Sequence, residues 1–297
     1  VSVIIPARDA AGSIDVAVRS ALSQPDVAEV VVAAADEATL EAVERIGDPR
    51  VKAVDNPTGT TPAALNRALA ASSGTVIVRC DAHAALPPGY VRRILETMQA
   101  TGAVNVGGRQ VPEGTSLFER AVALAMMSPI GAGDARYRIG GQAGPVDTVY
   151  LGAFPRGAIE SAGGFDETLV RNQDYELNWR LRQAGGTVWF DPDLAVTYRP
   201  RGSVAALWRQ YFEYGYWKRV VLTRHPGSLR WRQLMPPLLV VGLAGSAFLI
   251  PVDGRLAAVV PAAYLATTMG ASIYDGLKTR RPAAALEPLA LWTMHLA

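Results

Sequence analysis

The chain has 297 residues, enough for one large domain and an appendage. Its 29 Lys and Arg balance 27 Asp and Glu, so the whole chain carries no charge signature of nucleic-acid binding. One cysteine, Cys80, excludes an internal disulfide and points to a reducing compartment.

The chain opens at Val1 directly in a strand-like run, without a charged-then-apolar leader. It ends at Ala297 inside an apolar stretch, so further residues are expected at both ends. Short apolar runs at Val1–Ile5, Glu29–Ala33, Val51–Val54, Thr75–Val78 and Ala103–Gly107 predict buried strands. Amphipathic stretches near Ile14–Ser23, Glu37–Ile46, Pro62–Ala71 and Pro88–Ala100 predict helices between them. Such alternation implies an α/β fold, a mainly parallel sheet with helices on both faces. Right-handed crossovers align the strand C-termini along one edge, where ligands bind.

From Gly114 to about Arg201 the alternation loosens. Gly131, Gly133, Gly140, Gly141 and Gly144 predict a loop-rich, mobile stretch. A helix is expected near Asp174–Ala184, ended by Gly185 and Gly186. Between Arg199 and Arg232 there are eight Lys and Arg and one acid, Glu213, interleaved with aromatic residues such as Trp208, Phe212 and Trp231. That mixture suits a membrane interface. The apolar segments that follow favour this over nucleic acid, so no nucleic-acid partner is expected.

Residues 234–252 and 256–274 carry no charge, and each approaches the roughly 20 residues that span a bilayer. The turn Asp253-Gly254-Arg255 makes them a hairpin, and Ala283–Ala297 would begin a third span. The basic flanks place the catalytic part and the loop at Lys278, Arg280 and Arg281 on the cytoplasmic side. The expected organisation is therefore a catalytic domain at 1–198, a basic and aromatic interfacial segment at 199–232, and membrane helices at 233–297.

Several residues carry chemistry. Asp36 follows the second strand, where a carboxylate can accept hydrogen bonds from a nucleobase or ribose, or cap the next helix. The turn from Asn56 runs into a helix bearing Asn66, and its N-terminus favours an anion. Asp81 and His83 directly follow the fourth strand. In an extended segment both would point the same way and could hold one divalent ion beside a diphosphate. Asp174 is expected in the first turn of its helix, where a carboxylate can take a proton from an acceptor hydroxyl.

Together these features resemble the inverting glycosyltransferases of family 2, which have a GT-A fold. The resemblance runs from Val1 to about Arg219. It rests on the opening Val1–Asp9, the stretch from Asn56 to Ala68, the pair Asp81 and His83, the run Gly163–Glu167, and Gln173-Asp174-Tyr175-Glu176. The run Arg209–Lys218 is similar to the succinoglycan-biosynthesis branch. The resemblance implies a nucleotide-sugar donor in the crevice, a divalent metal ion (Mn²⁺ or Mg²⁺) on Asp81, with His83 beside it, and Asp174 as the base. Expected donor contacts are Pro6, Ala7, Arg8, Asp36, Asn66 and Asp81. Expected acceptor or diphosphate contacts are Gly152, Arg156, Glu176, Arg201, Arg209 and Gln210. His83 stands where the family usually has a second acid, and Gln173 where an acid often precedes the base. The Gln-x-x-Arg-Trp motif of processive synthases is absent, which argues for single additions. The membrane helices point to a lipid-linked saccharide acceptor at the inner or plasma membrane, in cell-surface polysaccharide or glycolipid synthesis. A processive synthase and a non-catalytic nucleotide-sugar-binding scaffold are the alternatives.

Overall fold

The computed structural model describes residues 1–297. In chain order its elements are β1 (Ser2–Ala7), α1 (Ile14–Leu22), β2 (Glu29–Ala34), α2 (Glu37–Glu44), β3 (Val51–Asp55), α3 (Thr61–Ala71), β4 (Val76–Arg79), α4 (Tyr90–Thr101) and β5 (Asn105–Pro112). There follow α5 (Leu117–Met127), α6 (Pro129–Ala132), α7 (Arg136–Ile139), β6 (Gly144–Pro145), β7 (Tyr150–Pro155), α8 (Arg156–Ser161), α9 (Gln173–Gln183) and β8 (Val188–Tyr198). The last four are α10 (Val204–Arg224), α11 (Trp231–Leu249), α12 (Gly254–Thr279) and α13 (Glu287–Leu296).

The chain divides into two compact units, residues 1–111 with 140–197, and residues 112–139 with 198–297. The catalytic domain expected at 1–198 is thus interrupted: 112–139 fold with the C-terminal part. Its first half gave no strand signal after β5, because α5 is a capped amphipathic helix there.

The eight-stranded sheet has the order β3-β2-β1-β4-β7-β5-β8-β6. The four strands β3-β2-β1-β4 are parallel as expected, with Ile4 of β1 opposite Val31 of β2 and Arg79 of β4. The antiparallel strand β7 then inserts between β4 and β5, so the whole sheet is mixed. Side chains alternate between its faces. Val3, Ile5, Val30 and Val32 join one core cluster with Ile14, Ala17, Val18 and Ala21 of α1. Ile4, Val31 and Ala33 join another with Leu65 of α3 and Leu177 of α9. Each fully buried Val, Leu or Ile side chain contributes about 1.5–3 kcal/mol.

In the second unit, α5 opens with a capping box: Ser116 accepts from the Glu119 amide, and Glu119 reaches back to the Ser116 amide. The stretch around Gly131 expected as loop holds the one-turn helices α6 and α7, separated by Gly133. α11 and α12 are long and apolar enough to cross a membrane, with mean hydropathy of 1.3 and 1.5 over their most apolar windows. Their apolar side chains lie outward: Phe248 is 81% and Leu277 77% exposed. Asp253 caps α12 through the amides of Arg255 and Leu256. The segment expected to begin a third span behaves differently. Ala290, Leu291 and Met294 of α13 are buried in a cluster with Val122 and Met126 of α5 and Leu207 of α10.

Candidate active site

β4 is a four-residue strand whose apolar run ends in Arg79, and the next residues emerge at the sheet's C-terminal edge. Arg79 is 9% exposed. Its Nη2 donates to Asp81 Oδ1 at 2.9 Å, and its Nη1 donates to Asp174 Oδ1. Two carboxylates 93 positions apart in sequence are thereby drawn to one cation. Asp174 sits in the first turn of α9, behind Asn172, whose φ of 62° turns the chain into the helix. Its carboxylate lies at the positive end of the helix dipole. Asp174 is 38% exposed at its side chain, and the bond from Arg79 engages its Oδ1.

Asp81 has a second partner. The Tyr150 hydroxyl donates to its Oδ2 at 3.3 Å. A β-bulge aims this tyrosine: Val106 and Gly108 of β5 stand opposite Ala153 and Tyr150 of β7, two steps against three. Leu151, at φ 47°, absorbs the extra residue. Burial beside Asp81 pushes the Tyr150 phenol well above its ordinary pKa, so it remains a donor.

Asp81 to Ala84 is a turn, closed by the Ala84 amide on the Asp81 carbonyl at 2.9 Å, rather than an extended segment. Asp81 and His83 are therefore related by a turn and not by strand alternation, and His83 is exposed within that turn. The residues still fit a divalent ion. Each Asp81 oxygen has one hydrogen bond and keeps a further lone pair. No three His, Cys, Asp or Glu converge anywhere in the chain, and Mg²⁺-type ions commonly take one or two protein ligands plus substrate phosphate oxygens.

Other expected contacts are occupied within the protein. Asp36 caps α2: Oδ1 accepts from the Thr39 amide and hydroxyl, and Oδ2 from the Asp9 amide at 2.8 Å. Partial burial opposes its charge, but these bonds outweigh that and hold its carboxyl below the usual range. The Asn66 amide is spent on the Phe165 backbone, at 2.8 and 2.9 Å, and on Glu167 at 2.9 Å. Gly164, at φ 71°, passes so close to Asn66 that a Cβ would lie 2.7 Å from its Oδ1. Asn66 is thus a latch between α3 and the glycine-rich turn, not an open donor contact.

Arg156 lies at the wrong edge. Its amide donates to the Thr75 carbonyl at the start of β4, and its guanidinium to Gly74, Leu69, Ser72 and Glu160. Antiparallel β7 carries it to the end of the sheet opposite Asp81. Glu176 is buried and pairs with Arg180 at 2.7 Å, while Arg180 also donates to the Ala162 and Gly164 carbonyls. Glu176, expected as an acceptor or diphosphate contact, is thus engaged in a pair within α9. Gly152 lets the buried Asn105 amide pack against the backbone of β7. Pro6 and Ala7 end β1, and Arg8 is exposed, reaching the Gly59 carbonyl at 3.4 Å. Arg201, Arg209 and Gln210 belong to the second unit. Arg79 and Tyr150 carried no assignment from sequence. A lone basic residue ending an apolar strand was the available signal for Arg79; the bulge that aims Tyr150 left none.

A family model described as Glycosyl transferase family 2 matches residues 2–162. The chain belongs to that family. This glycosyltransferase is also 32% identical, over 99% of its own length and 91% of the relative's, to the succinoglycan biosynthesis protein ExoA of Rhizobium meliloti (strain 1021). Its fold is similar to that of the mannosyltransferase PcManGT from Pyrobaculum calidifontis, solved in complex with GDP-Man and Mn²⁺. That likeness has a TM-score of 0.65 at 19% identity, covering 99% of this chain and 86% of the other. The GT-A fold expected from sequence is the fold of this glycosyltransferase.

Proposed function

We propose that this glycosyltransferase transfers a sugar, with inversion, from a nucleotide-sugar donor to a hydroxyl of a lipid-linked saccharide in polysaccharide synthesis. The observation that carries the mechanism is the gathering of Asp81 and Asp174 around Arg79 at the ligand-binding edge of the sheet. Asp174 Oδ2 takes the proton of the acceptor hydroxyl as its oxygen attacks the anomeric carbon. Attack comes from the face opposite the nucleotide, and the anomeric carbon–oxygen bond to the diphosphate breaks. Arg79 holds the base carboxylate in register with Asp81, and general base catalysis of this kind contributes roughly 10²–10⁴-fold. Asp81 and His83 would hold a Mn²⁺ or Mg²⁺ ion, which when bound offsets negative charge on the departing diphosphate.

The ExoA-type relative supports a role in polysaccharide biosynthesis. The outward apolar faces of α11 and α12 support anchoring in the cell membrane, with the basic residues that follow α12 on the cytoplasmic side. The test is a panel of nucleotide sugars, assayed for nucleoside diphosphate release with membrane extract as acceptor. Acceptor-dependent release from one donor is expected; silence across the panel would contradict the proposal.

A further inference from the structure

The second unit holds a cation whose partners are all phenols. Tyr137 and Arg138 lie on α7, Gln210, Tyr211 and Tyr214 on α10, and Tyr198 ends β8. Arg138 Nε donates to the Tyr137 hydroxyl at 3.1 Å, and Nη1 to the Tyr211 hydroxyl at 3.0 Å. No carboxylate is among its hydrogen-bond or ion-pair partners. A guanidinium stays charged in any protein environment and presents five N–H donors, so most of its donor capacity is left over.

The phenols add to that excess. Tyr137 and Tyr211 accept from Arg138, which leaves each O–H free to donate. Tyr198 likewise accepts, from Gln210 Nε2 at 3.0 Å, and Tyr214 accepts from the same nitrogen at 2.9 Å. Arg138, Tyr137, Tyr198 and Tyr211 are half-buried rather than sealed in the core. Tyr198 and Tyr211 pack against the core of this unit, which fixes their hydroxyls. A positive charge whose acceptors are all neutral phenol oxygens lacks an anionic partner, and its complement is an anion with several oxygens. Phosphate has that charge and oxygen geometry.

We infer that Arg138, with Tyr137, Tyr198 and Tyr211, forms a binding site for a phosphate or diphosphate ester. Only the choice of a lipid-linked saccharide as its source rests on the proposed function. The test uses the full chain in a maltoside detergent, which carries no phosphate, in excess chelator to silence any metal-dependent site. The probes are inorganic pyrophosphate, a polyprenyl diphosphate in mixed micelles, and phosphatidylglycerol in mixed micelles. Saturable binding is expected, weakened at least about tenfold by Arg138→Gln and several-fold by Tyr211→Phe. Binding of polyprenyl diphosphate alone assigns the site to the lipid acceptor. Equal binding of pyrophosphate assigns it to free phosphate, and equal binding of phosphatidylglycerol to a headgroup. Tyr211→Phe keeps the ring packing, so it carries the test if Arg138→Gln fails to fold. No saturable binding, or binding unchanged in both variants, overturns the inference. Arg138-dependent binding by a chain that releases no nucleotide from any donor would keep this site and sink the glycosyl-transfer mechanism.

Discussion

At the scale of single residues, Arg79 organises the site. It faces Asp81 and Asp174 together, and its removal leaves two carboxylates without their shared counter-ion. Arg79→Ala should lower thermal stability by about 2–3 kcal/mol, less than a fully buried pair costs because Asp174 is partly solvated. It should also weaken donor binding, with partial recovery in Arg79→Lys; unchanged stability and donor affinity in the alanine variant would contradict the role. Metal dependence is a second residue-level outcome. Excess chelator should abolish transfer and Mn²⁺ restore it, with His83→Ala needing more Mn²⁺ than the native chain. Full activity in chelator counts against Asp81 and His83 as ligands. The pattern of success and failure at this scale has a physical cause. The positions of Asp81 and Asp174, after a strand and in the first turn of a helix, were readable from sequence, whereas the Arg79 that joins them was not. Asn66, Arg156 and Glu176 were misjudged because a polar side chain looks the same in sequence whether it awaits a substrate or serves a backbone carbonyl far along the chain. Their partners, at Phe165, Gly74 and Arg180, emerge only once the elements are packed.

At the scale of elements, β1 to β4 and the helices between them were readable because their apolar residues alternate or repeat on one face. β7 was not, since Tyr150–Pro155 contains a glycine and ends in proline, and its bulge needs β5 as a partner. Two carboxyls that tie elements together predict the acid response. Burial opposes the charge of Glu29, but hydrogen bonds from Lys52, Ser2 and Ser73 prevail and hold its carboxyl well below the ordinary range. Glu119 is held at about 2 by the Ser116 amide and by Thr115 and Arg199. Both folded values are depressed, so the unfolded chain takes up these protons first. Their contribution is whole above the unfolded pKa of about 4.3 and drains away as pH falls toward 2. Denaturant midpoints measured from pH 6 to 2.5 should fall across that window, and Glu119→Gln should flatten the slope. A variant with the native slope would show that the α5 cap is not among the groups responsible.

At the scale of the whole molecule, the expected hairpin of apolar segments corresponds to α11 and α12, whereas α13 is buried among α5 and α10. Hydropathy alone could not separate these cases, because an apolar helix meets lipid or protein equally well. The intact chain should therefore sediment with membranes, resist release by high salt, and come free only in detergent. A chain that stays monodisperse in plain buffer would refute the anchor.

The central claim is that Asp174 is the base while the donor is held by the first half of the sheet. Asp174→Asn keeps the shape and the Arg79 neighbour but removes the basic oxygen. The decisive measurement pairs nucleotide-sugar affinity by calorimetry with transfer rate on the same protein. The account predicts near-native affinity and a rate lowered by at least about 10²-fold. Loss of both would make Asp174 structural, and retention of both would place the base elsewhere; either result contradicts it.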